Sequence, residues 1–248
     1  RDRDGSVVSF EADPADYLRQ VFSIHSAPPS GAMGGFAGGF VGYMSYGFAN
    51  YTGMLRNRVR EAVDEPLLLL MEADEFYVFD NHTGRVYACV CPEGMNEREE
   101  YDMAVERTSE MAAALFSLEI PDTPPSRMEG TSGDFSDEEF MHAVSSMREE
   151  INSGECIQVV LSNRYVIPGR VNPVTMYRMM RNMNPSPYMF YLKGENAVVC
   201  GTSPETHLSV SGGRAVLKPI AGTARTGENI AEISEKLLSD EKERAEHL

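Results

Sequence analysis

Four strand-like segments follow one another late in the chain, with connections that are long enough only for hairpins. They lie near residues 188–193, 197–201, 206–210 and 214–218. Parallel neighbours need a crossover connection of about a dozen residues or more, and the gaps here are far shorter. Helical patterns at 96–118, from Ser136, at 173–183 and from 230 are interspersed irregularly. We therefore predict an α+β fold with mixed, largely antiparallel sheets and surrounding helices, and not a regular βαβ repeat.

Strand patterns also occur earlier in the chain. Strands are expected at 67–71, 75–80 and 85–91, and residues 81–84 are predicted to form the hairpin turn between the last two. A further, long strand is predicted over 156–167, where apolar residues alternate along one face.

Capping and breaker residues predict where other elements begin and end. Ser136 and Glu139 have the spacing of a capping box, so a helix is expected to begin there. Gly154 is a suitable stop for that helix. Residues 121–133 are rich in Pro, Gly, Ser and Thr, which is typical of a linker or an exposed loop.

The chain is strongly acidic, and this limits what it can bind. Its formal net charge is −16 over 248 residues. Because an acidic surface repels a phosphate backbone, we expect no nucleic-acid partner. The same charge repels a small anionic substrate. Any anion site here must therefore supply its own positive potential from a metal ion, an Arg side chain or backbone N–H groups.

Two further features bear on location. Residues 31–48 carry no charge, but they are rich in Gly and contain no Leu or Ile to drive insertion, so we expect no membrane span. The four cysteines show no C-x-x-C spacing and are too few for a disulfide framework. They are typical of free thiols in a reducing cytoplasm.

Five short motifs occur in order in the second half of the chain. They are E-C-I-Q-V-V-L-S-N-R (155–164), N-P-S-P-Y-M-F (184–190), G-T-S-P-E (201–205), P-I-A-G-T (219–223) and D-E-K-E-R-A-E-H-L (240–248). Together they resemble the successive motifs of the chorismate-utilising enzymes, above all those of anthranilate synthase component I. In the first half, residues 38–46 and 67–89 are similar to that family's amino-terminal portion.

The resemblance implies the fold of the chorismate-utilising enzymes and a division into two regions. Residues 1–120 would be part of the amino-terminal region, 121–133 a linker, and 134–248 part of the chorismate-binding catalytic region. The chain starts at Arg1 rather than Met and stops at Leu248 within a charged amphipathic pattern. We therefore expect an incomplete piece of a longer protein, and such a piece can be inactive by itself.

The resemblance also implies a substrate site. Glu205 of S-P-E would act as the general acid that protonates the ring hydroxyl leaving chorismate. Gly222 and Thr223 of P-I-A-G-T would bind chorismate, since a Gly backbone and a hydroxyl are good donors for a carboxylate. Glu246 of E-H-L would bind Mg²⁺, which accepts hard carboxylate oxygens. On spacing alone, P-x-x-G-T is typical of a simple turn, and Glu246 is typical of a solvated helix face.

Five more residues carry roles by resemblance. Pro187, Tyr188 and Met189 would line a site for the inhibitor tryptophan, and a rigid, mostly apolar loop suits an indole ring. Gln158 and Ala221 would select the nucleophile. Relatives that add water to chorismate carry a Lys general base at the first position, and those that make aminodeoxychorismate carry a nucleophilic Lys at the second. Since neither Lys is present, ammonia addition is predicted.

The implied function is that of an anthranilate synthase large subunit, which converts chorismate and ammonia to anthranilate and pyruvate with Mg²⁺ in tryptophan biosynthesis. Ammonia would come from glutamine through a separate amidotransferase subunit, because no glutaminase nucleophile is recognisable in this chain. Two alternatives stay open. One is an aminodeoxychorismate, isochorismate or salicylate synthase, and the other is a fragment that binds chorismate or tryptophan without turnover.

Overall fold

The computed structural model describes residues 5–24, 36–53, 66–92, 98–119, 126–220, 224–225, 229–241 and 244–245. The chain divides into two compact units, Arg1–Ile120 and Pro121–Leu248. Each unit combines α-helices with antiparallel strand pairs.

The first unit contains two strand pairs in its described residues. Its elements are α1 Pro14–Ile24, β1 Gly39–Met44, a 3₁₀ helix Tyr46–Tyr51, β2 Leu68–Ala73, β3 Glu75–Asp80, β4 Arg85–Val90 and α2 Arg98–Ser117. Strand β1 pairs with β2, and β3 pairs with β4. At the turn between β3 and β4 the Gly84 amide donates to the Asp80 carbonyl oxygen at 2.8 Å. The predicted hairpin turn at 81–84 is therefore confirmed.

Helix α2 is fixed to the β3–β4 hairpin by polar contacts and by buried side chains. The Tyr77 hydroxyl donates to the Met111 carbonyl oxygen at 2.7 Å, and Arg107 Nη2 lies 3.0 Å from Glu75 Oε2. The side chains of Cys89 and Met111 are buried. Burial disfavours the thiolate, so it raises the pKa of the Cys89 thiol above its usual value. Cys89 and Met111 therefore belong to the core between the β3–β4 hairpin and α2.

The second unit contains four strand pairs and three helices in its described residues. Its elements are β5 Arg127–Met128, β6 Ser132–Gly133, α3 Asp137–Ser153, β7 Tyr165–Val166, β8 Gly169–Arg170, α4 Pro173–Met183, β9 Tyr188–Lys193, β10 Val198–Ser203, β11 Ser209–Ser211, β12 Arg214–Val216 and α5 Ile230–Ser239. The pairs are β5 with β8, β6 with β7, β9 with β10 and β11 with β12, all antiparallel. The predicted α+β class is confirmed. No helix in the ranges given above has the length and apolar character needed to cross a membrane.

Helix α3 begins at the predicted capping box. Ser136 Oγ accepts from the Glu139 amide at 3.3 Å, and a Glu139 carboxylate oxygen accepts from the Ser136 amide at 2.9 Å. The backbone N–H and then the hydroxyl of Ser136 stabilise the ionised carboxylate and lower the pKa of Glu139. Gly154 ends the helix at φ 84°, in the left-handed region where a residue without a Cβ is unstrained. Both helix ends were therefore predictable from local sequence.

The long strand predicted over 156–167 is wrong. Only Tyr165–Val166 joins a ladder, where it pairs with Ser132–Gly133. On the face where apolar residues alternate, Ile157 is 87% exposed and Tyr165 and Ile167 are also exposed, so most of that face packs against no core within the described residues. A strand is held by cross-strand partners as well as by burial. Residues 156–164 find no strand partner among the described residues and adopt no regular structure.

The predicted linker is partly structured. Residues 121–125 lie outside the described residues, but the rest of the segment contributes β5 and β6. The Asn163 side chain holds the backbone of Phe135, just after the linker. Its Oδ1 accepts from the Phe135 N–H at 3.1 Å, and its Nδ2 donates to the Phe135 carbonyl oxygen at 3.2 Å. Arg164 adds an ion pair with Asp134 at 3.0 Å. Strand pairs of two residues leave no periodic signal, so composition alone predicts only a loop here.

Candidate functional site

The β9–β10 hairpin brings two of the five motifs side by side. N-P-S-P-Y-M-F runs into β9, and G-T-S-P-E begins within β10 and leaves it. Aromatic and β-branched residues favour these strands, and the Gly194 amide donates to the Ala197 carbonyl oxygen at 2.9 Å in the connecting turn. In the antiparallel register Ser203 lies opposite Tyr188. The predicted inhibitor-binding residues therefore begin one strand, and the predicted general acid follows the other.

Two side-chain hydrogen bonds reinforce this end of the hairpin. Thr206 Oγ1 donates to the Tyr188 hydroxyl. Asn184 Nδ2 donates to Thr202 Oγ1 at 3.5 Å. Each bond joins residues that are 18 positions apart in the sequence, one on each side of the hairpin. The two motifs are thus connected by side chains as well as by the backbone ladder.

Glu205 lies in a tight turn just beyond β10. Ser203 Oγ accepts from the Glu205 amide at 3.4 Å and donates to the Glu205 carbonyl oxygen at 3.2 Å. Short hydroxyl-to-backbone bonds of this kind are typical of Ser in turns. Pro204 restricts the backbone between them, because its ring fixes φ. The turn holds the Glu205 backbone while its side chain stays exposed and open to a ligand.

The P-I-A-G-T motif reaches the same carboxylate. The Ile220 amide donates to Glu205 Oε1 at 3.3 Å, across 15 positions of sequence. Ala221, Gly222 and Thr223 lie outside the described residues, so their predicted roles stay predictions. The residue directly before them is nevertheless bonded to the predicted acid, which brings the third and fourth motifs together.

This contact gives the two oxygens of Glu205 different surroundings. Oε1 accepts the Ile220 N–H, so a proton carried by this carboxyl group belongs on Oε2. A general acid needs a carboxyl group whose proton-bearing oxygen is held toward the leaving atom. The arrangement therefore suits proton donation from Oε2 to an oxygen that leaves a bound substrate.

Sequence reasoning did not single out Ser203, Thr206 or Ile220. Ser203 could have been identified from the sequence, because a Ser hydroxyl in a turn commonly bonds to the backbone two residues further along. Ile220 contacts Glu205 from 15 positions away, and Thr206 contacts Tyr188 from 18 positions away. No local pattern reports such distant contacts.

The predicted nucleophile-selecting residue Gln158 lies in the irregular stretch 156–164, with an exposed side chain. The described contacts do not place it beside Glu205. Its role, like that of Ala221, stays a prediction.

The predicted Mg²⁺ ligand Glu246 lies outside the described residues. Within the described ranges, no three His, Cys, Asp or Glu side chains come together as a metal-binding group. Mg²⁺ is usually held by one or two carboxylates together with waters and substrate oxygens, and not by a cage of protein ligands. A single carboxylate supplied by this chain therefore fits the donor chemistry of that ion.

A groove of about 500 Å³ lies elsewhere in the second unit, between α4 and the β9–β10 turn. Its lining includes Met176, Met180 and Val198, with Lys193 and Glu195 at the turn. None of its lining residues belongs to the five motifs. The groove is therefore separate from the site around Glu205. We take the Glu205 site as the candidate, because the motifs and the hydrogen bonds between them meet there.

Comparison with known proteins identifies the relatives of this chain. Residues 3–248 match the family of chorismate binding enzymes. The chain is 36% identical over 225 residues to anthranilate synthase component 1 of Thermus thermophilus, covering 86% of this chain and 46% of that protein. It is 34% identical over 256 residues to anthranilate synthase component 1 of Aquifex aeolicus, covering 98% and 51%.

A solved structure is also similar. The crystal structure of anthranilate synthase component I from Streptococcus pneumoniae TIGR4 matches with a TM-score of 0.74 at 25% identity, over 98% of this chain and 54% of that one. The chain spans about half the length of the curated relatives it matches.

Proposed function

Since the chain belongs to the family of chorismate binding enzymes, we propose that its protein is an anthranilate synthase large subunit, which converts chorismate and ammonia to anthranilate and pyruvate. The observation that carries this proposal is the hydrogen bond from the Ile220 amide to Glu205, because it joins the S-P-E and P-I-A-G-T motifs at one carboxylate. The names of the relatives in Thermus and Aquifex support it.

Glu205 would act on the oxygen that leaves the ring. Ammonia adds to chorismate as the ring hydroxyl departs, and Glu205 gives that oxygen a proton so that it leaves as water. The proton released by the new ammonium group then restores the acid. Pyruvate is eliminated in a second stage and the ring becomes aromatic. The Ile220 N–H holds Oε1, so Oε2 is the oxygen that would donate.

Binding a dianion requires local donors, because the chain carries a formal charge of −16. Gly222 and Thr223 would supply a backbone N–H and a hydroxyl to a chorismate carboxylate. Glu246 would hold Mg²⁺, and the bound ion would supply positive potential toward the substrate.

The choice of nucleophile rests on Gln158 and Ala221. A Gln side chain cannot deprotonate water, whereas ammonia brings its own lone pair and needs no base. Ala221 has no nucleophilic atom with which to form a covalent intermediate. These two residues favour ammonia over water or an enzyme nucleophile.

The proposal includes a partner and an inhibitor. A glutamine amidotransferase subunit would release ammonia from glutamine, and tryptophan would bind at Pro187, Tyr188 and Met189. We place the protein in the cytoplasm, where the four cysteines would stay reduced, and none of the four is in a disulfide in the structure.

The identity of the product tests this proposal. The full-length protein, expressed from its complete reading frame, is expected to release fluorescent anthranilate from chorismate, Mg²⁺ and an ammonium salt at alkaline pH, without its glutaminase partner. Accumulation of isochorismate, salicylate or aminodeoxychorismate as the main product would assign the chain to another enzyme of the family. Chorismate binding by calorimetry with no pyruvate release would indicate a binding module.

Replacing Met189 tests the inhibitor site. Met189 is half-buried on β9. Burying a Met side chain against a ligand contributes enough binding free energy that its loss weakens binding roughly tenfold or more. Met189→Gln is therefore expected to raise the tryptophan inhibition constant by roughly tenfold while chorismate turnover changes much less. Met183→Gln, at a residue that is 81% exposed on α4, is the matched control. Equal loss of inhibition and turnover would instead indicate a structural role for the loop.

A further inference from the structure

We propose that Tyr188 and Thr206 are positioning residues for Glu205, and that the hydrogen bond between their hydroxyl groups holds the turn that carries the acid. This inference rests on the proposed function, because it gives Glu205 a proton to deliver. It adds a role for a tyrosine that the family resemblance connects only with an inhibitor, and for a threonine that no motif includes.

One tyrosine, Tyr188, holds both ends of the turn. Ser203, at the start of the turn, is paired with Tyr188 in the β9–β10 ladder. Thr206, at its end, donates to the hydroxyl of the same Tyr188. Glu205 lies between these two attachment points. The backbone of Tyr188 therefore fixes one end of the turn, and its hydroxyl fixes the other.

Two other hydrogen bonds act on Glu205 itself. The Glu205 amide donates to the Ser203 hydroxyl at 3.4 Å, and Glu205 Oε1 accepts from the Ile220 amide at 3.3 Å. Both contacts are near the long limit for hydrogen bonds. They can orient the carboxyl group only if the backbone at Glu205 stays in place. The bond from Thr206 to Tyr188 supplies that restraint on the carboxyl-terminal side of the residue.

Both residues that form this bond are partly exposed to water. The Tyr188 side chain is 45% exposed, and Thr206 is half-buried. Polar groups with access to water find replacement partners when one bond is lost, so the fold is expected to tolerate the loss. A misplacement of a catalytic group by about 1 Å, in contrast, can lower a rate by about a hundredfold. Loss of this bond should therefore appear in catalysis before it appears in stability.

The test uses isosteric variants of the full-length protein with saturating Mg²⁺, ammonium and varied chorismate. Tyr188→Phe and Thr206→Val are each expected to lower kcat by roughly tenfold to a hundredfold, with KM for chorismate within about twofold of wild type. The double variant is expected to match either single variant, because both remove the same bond. Thr206→Ser keeps the hydroxyl and is expected to retain most of the activity.

Two variants outside the site control for the type of substitution. Tyr101→Phe changes an exposed residue of α2, and Thr131→Val changes an exposed residue between β5 and β6. Both are expected to have wild-type kcat and KM. Thermal unfolding of every variant identifies those that fail to fold. If Tyr188→Phe does so, the comparison of Thr206→Ser with Thr206→Val still decides the result.

The outcomes separate this inference from the proposed function. A folded wild type that forms no anthranilate refutes the proposed function, and the positioning role falls with it. An active wild type whose Tyr188→Phe and Thr206→Val variants keep full kcat, lose kcat additively, or are not rescued by Ser at position 206 overturns the positioning role alone.

Discussion

Glu205→Gln in the full-length protein is expected to lower kcat for anthranilate formation by about 10²- to 10⁴-fold, the usual contribution of a general acid. The amide oxygen of Gln can still accept the Ile220 N–H that now binds Oε1. Gln has no acidic proton to give to the departing hydroxyl. The variant should therefore bind chorismate with nearly unchanged affinity, measured by calorimetry, while steady-state fluorescence reports the loss of turnover.

The matched control for this variant is Glu129→Gln. It removes the same negative charge from an exposed residue near β5, so it has the same effect on the net charge of −16. Wild-type kinetics are expected. If Glu205→Gln also turns over at the wild-type rate, Glu205 is not the acid. If it binds chorismate more weakly while kcat is unchanged, the residue contributes to substrate binding and not specifically to the transition state.

Glu246→Gln in the full-length protein is expected to abolish Mg²⁺-dependent turnover and leave the fold intact. Mg²⁺ prefers charged carboxylate oxygens, and a neutral amide is a much weaker donor. Losing a ligand to an ion that faces an anionic substrate should weaken both Mg²⁺ affinity and chorismate binding. Calorimetric titration with Mg²⁺, alongside anthranilate fluorescence at several Mg²⁺ concentrations, measures both effects.

Glu235→Gln, at an exposed residue of α5, is the matched control, because it also removes one acidic side chain and lies near Glu246 in the sequence. It is expected to bind Mg²⁺ and turn over chorismate as the wild type does. Wild-type activity of Glu246→Gln at limiting Mg²⁺ would show that this carboxylate is not a ligand.

The elements that could be predicted from sequence are those whose signals are local. Ser136 and Glu139 are three positions apart, and their capping box forms as predicted. Gly154 stops the same helix, and residues 81–84 turn between two strands as their composition indicates. Helix α4 and strand β9 have the predicted bounds. In the helices and the turn, the stabilising contacts involve residues within a few positions of one another, and β9 pairs through a short turn with the strand that follows it.

The strand over 156–167 could not be predicted correctly, because its formation depends on a partner and not on its own pattern. Alternation of apolar residues indicates that a segment can cover a core, but not that a neighbouring strand is present. Ile157 and Ile167 satisfy the pattern and are nevertheless exposed. The pairing of Tyr165–Val166 depends on Ser132–Gly133, in a segment whose composition indicates a loop.

In the candidate site, too, local motifs could be predicted from the sequence and contacts between distant residues could not. The resemblance to the chorismate-utilising enzymes, inferred from five motifs, is confirmed by the family match over residues 3–248. The motifs alone did not indicate that the Ile220 amide meets Glu205 or that Thr206 meets Tyr188, because those contacts are set by the hairpin and by the chain that returns beside it. The sequence therefore selected Glu205 as the candidate acid, and the structure shows which residues contact it.

A crystal structure of the full-length protein with bound chorismate tests the central claim, which is that S-P-E and P-I-A-G-T form one chorismate site. We expect the ring hydroxyl at about 3 Å from Glu205 Oε2, the usual hydrogen-bond distance, and a chorismate carboxylate against the loop that follows Ile220. The Ile220 amide should still donate to Glu205 Oε1. Chorismate bound away from Glu205, or with its ring hydroxyl turned away from that carboxyl group, would contradict the account.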